Sequence, residues 1–217
     1  LTWQYLKNPH GRAIGIDAFE EDQLVAHYCI IPRNYIHNER LYRSALSVNT
    51  ATHPEHQGKG LFTKLAEMTY ENASQAGIQF IVGVANQYSV NGFIKKLGFS
   101  NFGQIHMNIS YKAFLNKEDG LKISHDDKWL KWRFNNPSRE YKFINHSDET
   151  VTIRTKVRGG NFNIFRIDSS LFTGEKILEI STFKPALTPN FGLKNDKLFR
   201  IPKRFHPSPW HLIWRSL

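Results

Sequence analysis

The run Thr50-Ala51-Thr52-His53-Pro54-Glu55-His56-Gln57-Gly58-Lys59-Gly60-Leu61-Phe62-Thr63 constrains this chain more than any other stretch. Ahead of it Ala45, Leu46, Ser47 and Val48 alternate as a strand does, and after it Leu61, Leu65, Met68 and Tyr70 recur at helical spacing. The glycines therefore stand at a strand-to-helix turn. Gly58 and Gly60 can take φ values that other residues resist, and the first turn of a helix presents unpaired N–H groups at the positive end of its dipole. An anion fits such a turn, and a pyrophosphate fits it well. Lys59 adds a point charge, and Gln57 can hydrogen-bond a phosphate oxygen or fix the loop. A bare Gly-x-Gly before a helix also reads as an ordinary tight turn, so the surrounding residues decide.

Two common phosphate loops are excluded by spacing. A Walker-type loop requires a Gly with four residues between it and Gly58-Lys59, where His53 stands, and Thr63 occupies the place of the third glycine of a dinucleotide fingerprint. A second block follows at a fixed distance. Ile78 to Ala85 is a nearly continuous apolar run of buried-strand type that ends at Asn86, and a short helix after it closes on Lys96-Leu97-Gly98-Phe99.

Together these residues resemble the GNAT superfamily of acyl-CoA-dependent N-acetyltransferases. Gln57-Gly58-Lys59-Gly60-Leu61-Phe62 is similar to its Gln/Arg-x-x-Gly-x-Gly/Ala loop, His53-Pro54-Glu55 to its entry, and Asn86, Ser89 and Gly98-Phe99 to the other wall of its CoA slot. Phe62 departs from the family's usual small residue, and Ile94 stands where many members carry the Tyr that protonates the leaving thiolate. The resemblance implies an α+β fold, a mixed, mostly antiparallel sheet with flanking helices, followed by a second, degenerate GNAT-like half. It implies that the main chain of Thr50, Ala51 and Thr52 pairs with the pantetheine arm, that Gln57, Gly58, Lys59, Gly60, Leu61 and Phe62 hold the pyrophosphate, and that Asn86 and Ser89 line the slot near the thioester of acetyl-CoA. For the chemistry, a backbone N–H around Thr52 is the candidate oxyanion donor, and His53, Tyr88 or His106 is the candidate for proton transfer. The implied acceptor is a primary amine, an amino sugar among the classes, and a nucleic-acid partner is not expected. A non-catalytic CoA-binding module, which Ile94 favours, and a Fem-like aminoacyl transferase with a tRNA-linked donor are the alternatives. Because Leu1 leaves no room before Trp3 for the strand and helix that open the family's fold, the chain is expected to start inside a longer product.

The remaining segments are read in chain order. Trp3 and Leu6 at helical spacing before Pro9 mark a helix end; residues 12–19 and 24–31 form a hairpin around Glu20-Glu21-Asp22-Gln23; residues 32–42 are a polar connection. Residues 103–111 give the last strand of a first domain at 1–112, the acetyl-CoA-binding half. Then Trp132-Arg133-Phe134-Asn135-Asn136-Pro137 echoes Trp3 to Pro9, and strands at 140–145, 150–157 and 161–168 follow, with Gly159-Gly160 as a hairpin signal. A further strand is expected at 177–183, and Trp210 and Trp214 are expected to cover the sheet of this second half, 113–217, which lacks a glycine loop and shapes the acceptor site.

The net charge of +10 is uneven: residues 1–110 hold 9 Lys/Arg against 8 Asp/Glu, the remainder 20 against 11. A basic second half suits nucleic acid, phosphate-bearing sugars or a membrane surface, or is a plain solvated face. No run approaches the length of a membrane span, and Cys29 alone allows no disulfide framework, so a cytoplasmic protein is expected. Ten histidines do not make a metal site, because His53 and His56 flank a turn and the others lie apart without ligand spacing.

Overall fold

A computed structural model describes residues 2–110, 121–145, 150–157, 160–168, 188–192, 199–200 and 210–217. The chain divides into two discontinuous units, one of residues 1–104, 120–124 and 208–217, the other of 105–119 and 125–207.

In the first unit the short helix α1 (Thr2–Leu6) leads into β1 (Ile14–Glu20) and β2 (Gln23–Pro32), an antiparallel hairpin turned at Glu21, whose φ is +51°. The expected polar connection at 32–42 is instead a small hairpin, β3 (Tyr35–His37) and β4 (Arg40–Tyr42). Asn38 and Glu39 both take positive φ there, +47° and +61°, which is the two-residue turn that matches strand twist. The glycine run is framed by β5 (Ser44–Thr52) and α2 (Leu61–Gln75), and the second block by β6 (Phe80–Asn86) and α3 (Val90–Leu97). Gly98, at φ +66°, ends α3 in the left-handed conformation that glycine accepts without steric cost. β7 (Ser100–Ser110) follows, and β8 (Lys122–Ile123) returns to pair with β3.

Helix α2 buries Leu65, Ala66, Thr69, Tyr70 and Ala73, an i, i+3, i+4 stripe, while Met68 is exposed. That stripe meets Ala26, Tyr28 and Ile30 of β2, and α3 adds Phe93 and Leu97 to the same core. Burying the large apolar ones, Ile30, Leu65, Phe93 and Leu97, contributes about 1.5–3 kcal/mol each.

In the second unit α4 (Asp127–Phe134) begins at Asp126, whose carboxylate accepts the Trp129 N–H at 2.8 Å. β9 (Tyr141–Asn145), β10 (Thr150–Val157) and β11 (Gly160–Asp168) form an antiparallel sheet in the order β11-β10-β9, with Trp129, Leu130, Phe134, Val151 and Ile153 as its core. β12 (Thr188–Gly192) and β13 (Phe199–Arg200) pair with the latter part of β7. The echo noted in the sequence has a local counterpart. Asn8 Oδ1 accepts the His10 N–H at 3.1 Å and Asn136 Oδ1 accepts the Ser138 N–H at 2.9 Å, so each Asn-Pro step makes the same side-chain turn. The expected strand at 177–183 and the Gly159 turn lie outside the described residues.

One expectation is corrected. The last strand, β14 (Trp210–Ser216), does not cover the sheet of the second half, and the division at 112/113 does not hold for it. It enters the first unit between β6 and β7, giving the order β1-β2-β5-β6-β14-β7, with Trp210 opposite Asn86 and Ser216 opposite Phe80. The physical reason is local fit. Gly83 has no Cβ where Ile213 packs, since one would meet Ile213 Cγ1 at 3.0 Å, and Trp214 stacks on Phe102 and meets Phe80 edge-on. Arg215 then donates from Nη1 to the Leu97 carbonyl at 2.7 Å and lies 4.8 Å over the Tyr70 ring.

Candidate active site

β5 and β6 are the parallel pair at the centre of the first unit, yet they pair only from Ser44–Phe80 to Ser47–Gly83. Beyond that point β5 stays with β2 and β6 with β14, so the two strands part. The parting has a visible cause. The register of β2 and β5 shifts between Cys29↔Val48 and His27↔Ala51, a bulge at Asn49 and Thr50, with Asn49 at φ +51°. Tyr5 of α1 holds that bulge through a hydrogen bond between its hydroxyl and Asn49 Nδ2.

The opening between the strands is a cleft of ≈ 670 Å³. Thr50, Ala51 and Thr52 line one wall, Asn86, Tyr88 and Ser89 the other, and Gln57 and Phe62 stand at its end. Its volume falls in the range of small-molecule sites. A smaller depression of ≈ 110 Å³ shares Thr52, Gln57, Phe62 and Lys96 with it and is lined further by Gly58, Gly60 and Leu61. Both glycines are left-handed, at φ +78° and +77°, and a Cβ on either would meet nothing within 4 Å. The loop is thus open in front. The main-chain N–H of Lys64 donates to the Gly60 carbonyl at 3.1 Å, the first bond of α2, so the N–H groups of Leu61, Phe62 and Thr63 precede that helix's ladder. A geometry of this kind accommodates a pyrophosphate at the glycines and an extended arm along the unpaired edge of β5.

Most of the residues singled out in the sequence meet here, but three placements differ. Lys59 turns away: its Nζ lies 3.3 Å from His56 Nδ1, and it lines neither cavity. Lys96, on the last turn of α3, is the lysine shared by both cavities; its place at i+7 from Ser89 was the signal available. His53 also stays out of the cleft, its N–H donating to the Val25 carbonyl at 2.8 Å and its ring set against His56 at 5.7 Å. The side chain of His106 lies outside the described residues. Trp210 of β14, which sequence reasoning assigned elsewhere, lines the cleft beside Val84 and Asn86.

Asn86 has a defined local job. Its Oδ1 accepts the N–H of Tyr88 at 2.9 Å and of Ser89 at 3.0 Å, which fixes the turn from β6 into α3 and leaves its amide N–H₂ to the cleft. Tyr88 is 83% exposed at the mouth, and Ile94 packs against the core and is absent from the cleft wall. Below the floor, Tyr28 shares hydrogen bonds with Ser47 at 3.0 Å and Tyr70 at 2.6 Å, and burial raises both phenols above their ordinary range. Among the described residues no group of three His, Cys, Asp or Glu is placed to hold a metal, and no helix is long and apolar enough to cross a membrane.

The parted parallel strands, the glycine turn and the following helix make a fold similar to that of the GNAT class. Residues 2–102 match the family model of the acetyltransferase (GNAT) domain. Among solved structures the chain is similar to a probable N-acyltransferase from Enterococcus faecalis V583, at TM-score 0.59 and 11% identity over 93% of this chain and 62% of that one. It is also similar to GCN5-related N-acetyltransferases from Kribbella flavida (TM-score 0.58, 10% identity, 92% and 60% covered) and Anabaena variabilis ATCC 29413 (0.52, 12%, 91% and 62%). At these identities the likeness is one of fold. The chain spans 60–62% of the length of these three proteins. No curated protein matches the sequence.

Proposed function

We propose that this protein transfers an acyl group, in the simplest case acetyl, from acyl-CoA to a primary amine. The observation that carries the reading is the continuity of the ≈ 670 Å³ cleft between β5 and β6 with the open glycine loop at the N-terminus of α2. Acetyl-CoA, when bound, supplies the activated acetyl group. The chain's own residues do the rest. Main-chain groups of Thr50, Ala51 and Thr52 pair with the pantetheine arm; the N–H groups from Gly58 to Phe62, with Gln57, hold the pyrophosphate; and Lys96 supplies the cation expected of Lys59. Asn86 and Ser89 fix the opposite wall at the thioester. Held in this way, the donor faces an incoming amine in a near-attack geometry, with a backbone N–H near Thr52 directed at the developing oxyanion. Amino sugars are the first acceptor class to assay.

The deciding experiment is a thermal shift with acetyl-CoA, CoA, ATP and NAD at equal concentration, since a ligand that binds only the native state raises the transition temperature. Acetyl-CoA is expected to stabilise more than ATP or NAD, because its pantetheine arm adds contacts along β5. Absence of a shift at millimolar acetyl-CoA overturns the reading.

A further inference from the structure

The closed end of the cleft carries a hydroxyl that none of the preceding roles uses. Ser47 and Gly83 form the last pair of β5 and β6 before the strands part, and both line the cleft. Beside them the lining is apolar: Val48 follows Ser47 on β5, and Ile213 of β14 is the partner of Gly83. Ser47 Oγ lies 3.0 Å from the hydroxyl of Tyr28, which in turn lies 2.6 Å from the hydroxyl of Tyr70.

Counting acceptors places the protons of these three hydroxyls. Tyr28 is 0% and Tyr70 4% exposed, so each phenolic proton needs a partner inside the protein. Among the described residues the Tyr70 hydroxyl meets no acceptor but Tyr28, because Arg215, 4.8 Å over its ring, can only donate. Tyr70 therefore donates to Tyr28, and Tyr28 donates to Ser47. The opposite direction would strand the Tyr70 proton in the core. With its oxygen engaged by Tyr28, Ser47 has its own proton left for the cleft, a donor of fixed direction in an apolar corner.

An arm paired with Thr52, Ala51 and Thr50 runs from the glycine loop along β5 toward Ser47, so the acyl group is the part of the donor that arrives at this end. We propose that the closed end is an acyl subsite in which Ser47 donates a hydrogen bond to an oxygen on carbon 3 of the acyl chain. The inference rests on the acyl-transfer reading above and names its donor class: a short 3-hydroxyacyl- or 3-oxoacyl-CoA is selected over the plain acyl-CoA of equal length. A plain chain covers the Ser47 hydroxyl without pairing it, and a site built to hydrogen-bond an oxygen rejects the analogue that lacks one. Acetyl has no carbon 3 and leaves the hydroxyl to water.

Calorimetric titration reads this preference without an acceptor amine. Wild type, Ser47→Ala and Ser47→Cys are titrated with acetyl-CoA, butyryl-CoA, both enantiomers of 3-hydroxybutyryl-CoA, and acetoacetyl-CoA. The wild type is expected to bind one 3-hydroxybutyryl enantiomer and acetoacetyl-CoA about 10-fold tighter than butyryl-CoA. Ser47→Ala is expected to close that gap. Ser47→Cys, which keeps an atom within reach of Tyr28 but donates only weakly, narrows it and serves where Ser47→Ala loses the fold. A wild type that binds butyryl-CoA as tightly as the oxygenated chains overturns the subsite, as does one that rejects every four-carbon chain. So does a preference that survives both substitutions, or a loss that acetyl-, butyryl- and 3-hydroxybutyryl-CoA share equally. A wild type that does not bind even acetyl-CoA overturns the acyl-transfer reading itself.

Discussion

The ring of Phe62 packs over Gly92, where an added Cβ would come into van der Waals contact with it, 3.4 Å from Phe62 Cε1. The same ring meets Phe93 edge-on at 5.3 Å and Tyr28 at 6.1 Å, tying the first turn of α2 to α3 across the end of the cleft. A bulky residue is thereby accommodated at this position beside the glycine loop. Gly92→Leu is expected to force Phe62 out of this contact, destabilise the protein by about 1–3 kcal/mol and narrow the cleft. Denaturant melts measure the first effect, acetyl-CoA binding the second. The double variant with Phe62→Ala is expected to recover stability, and strict additivity of the two losses would show that the contact is not coupled.

Gly60→Val tests the loop. At φ +77° a β-branched residue is strained by about 1–2 kcal/mol, yet nothing lies within 4 Å of the new Cβ, so the fold is expected to survive. The added methyls stand where phosphate approaches, and the acetyl-CoA thermal shift is expected to vanish. A folded variant with an unchanged shift would place the pyrophosphate elsewhere.

Cys29 gives a pH dependence with a definite sign. Burial raises its thiol from 9.0 to about 11, so the folded state holds the proton more tightly than the unfolded chain. The associated stability is fully present below pH 9 and is lost as pH rises towards 11. Alkylation by iodoacetamide at pH 8 is expected to be slow in native protein and fast in urea, and Cys29→Ala should flatten the alkaline fall in transition temperature. Rapid native labelling at pH 8 would contradict the burial of this thiol.

Tyr88 stands at the mouth of the cleft, and Ile94, where a proton-donating Tyr is common in the family, packs into the core. If solvent protonates the leaving thiolate, Tyr88→Phe is nearly silent in kcat. A loss beyond about 10²-fold with unchanged acetyl-CoA affinity would make Tyr88 the acid.

What the sequence by itself determined was local. Gly58 and Gly60 stand where positive φ is needed, alternation marks β5, β10 and β11, and Asn86 and Gly98 bracket α3; each signal is read within a few neighbouring residues. The tertiary structure alone decided which strand lies beside β6 and which lysine faces the loop. Trp210 comes to Asn86 from 124 positions away because Gly83 admits Ile213 and Arg215 closes on Leu97. Lys59 is adjacent to the loop in sequence but is drawn to His56, whereas Lys96 arrives on the face of α3 that holds Ser89 and Gly92. His27 looks like one residue of an apolar strand until the register of β1, β2 and β5 sets it against Asp17 and Ala51. Strand order and register depend on long-range packing and on pairing between distant segments, which no local pattern encodes.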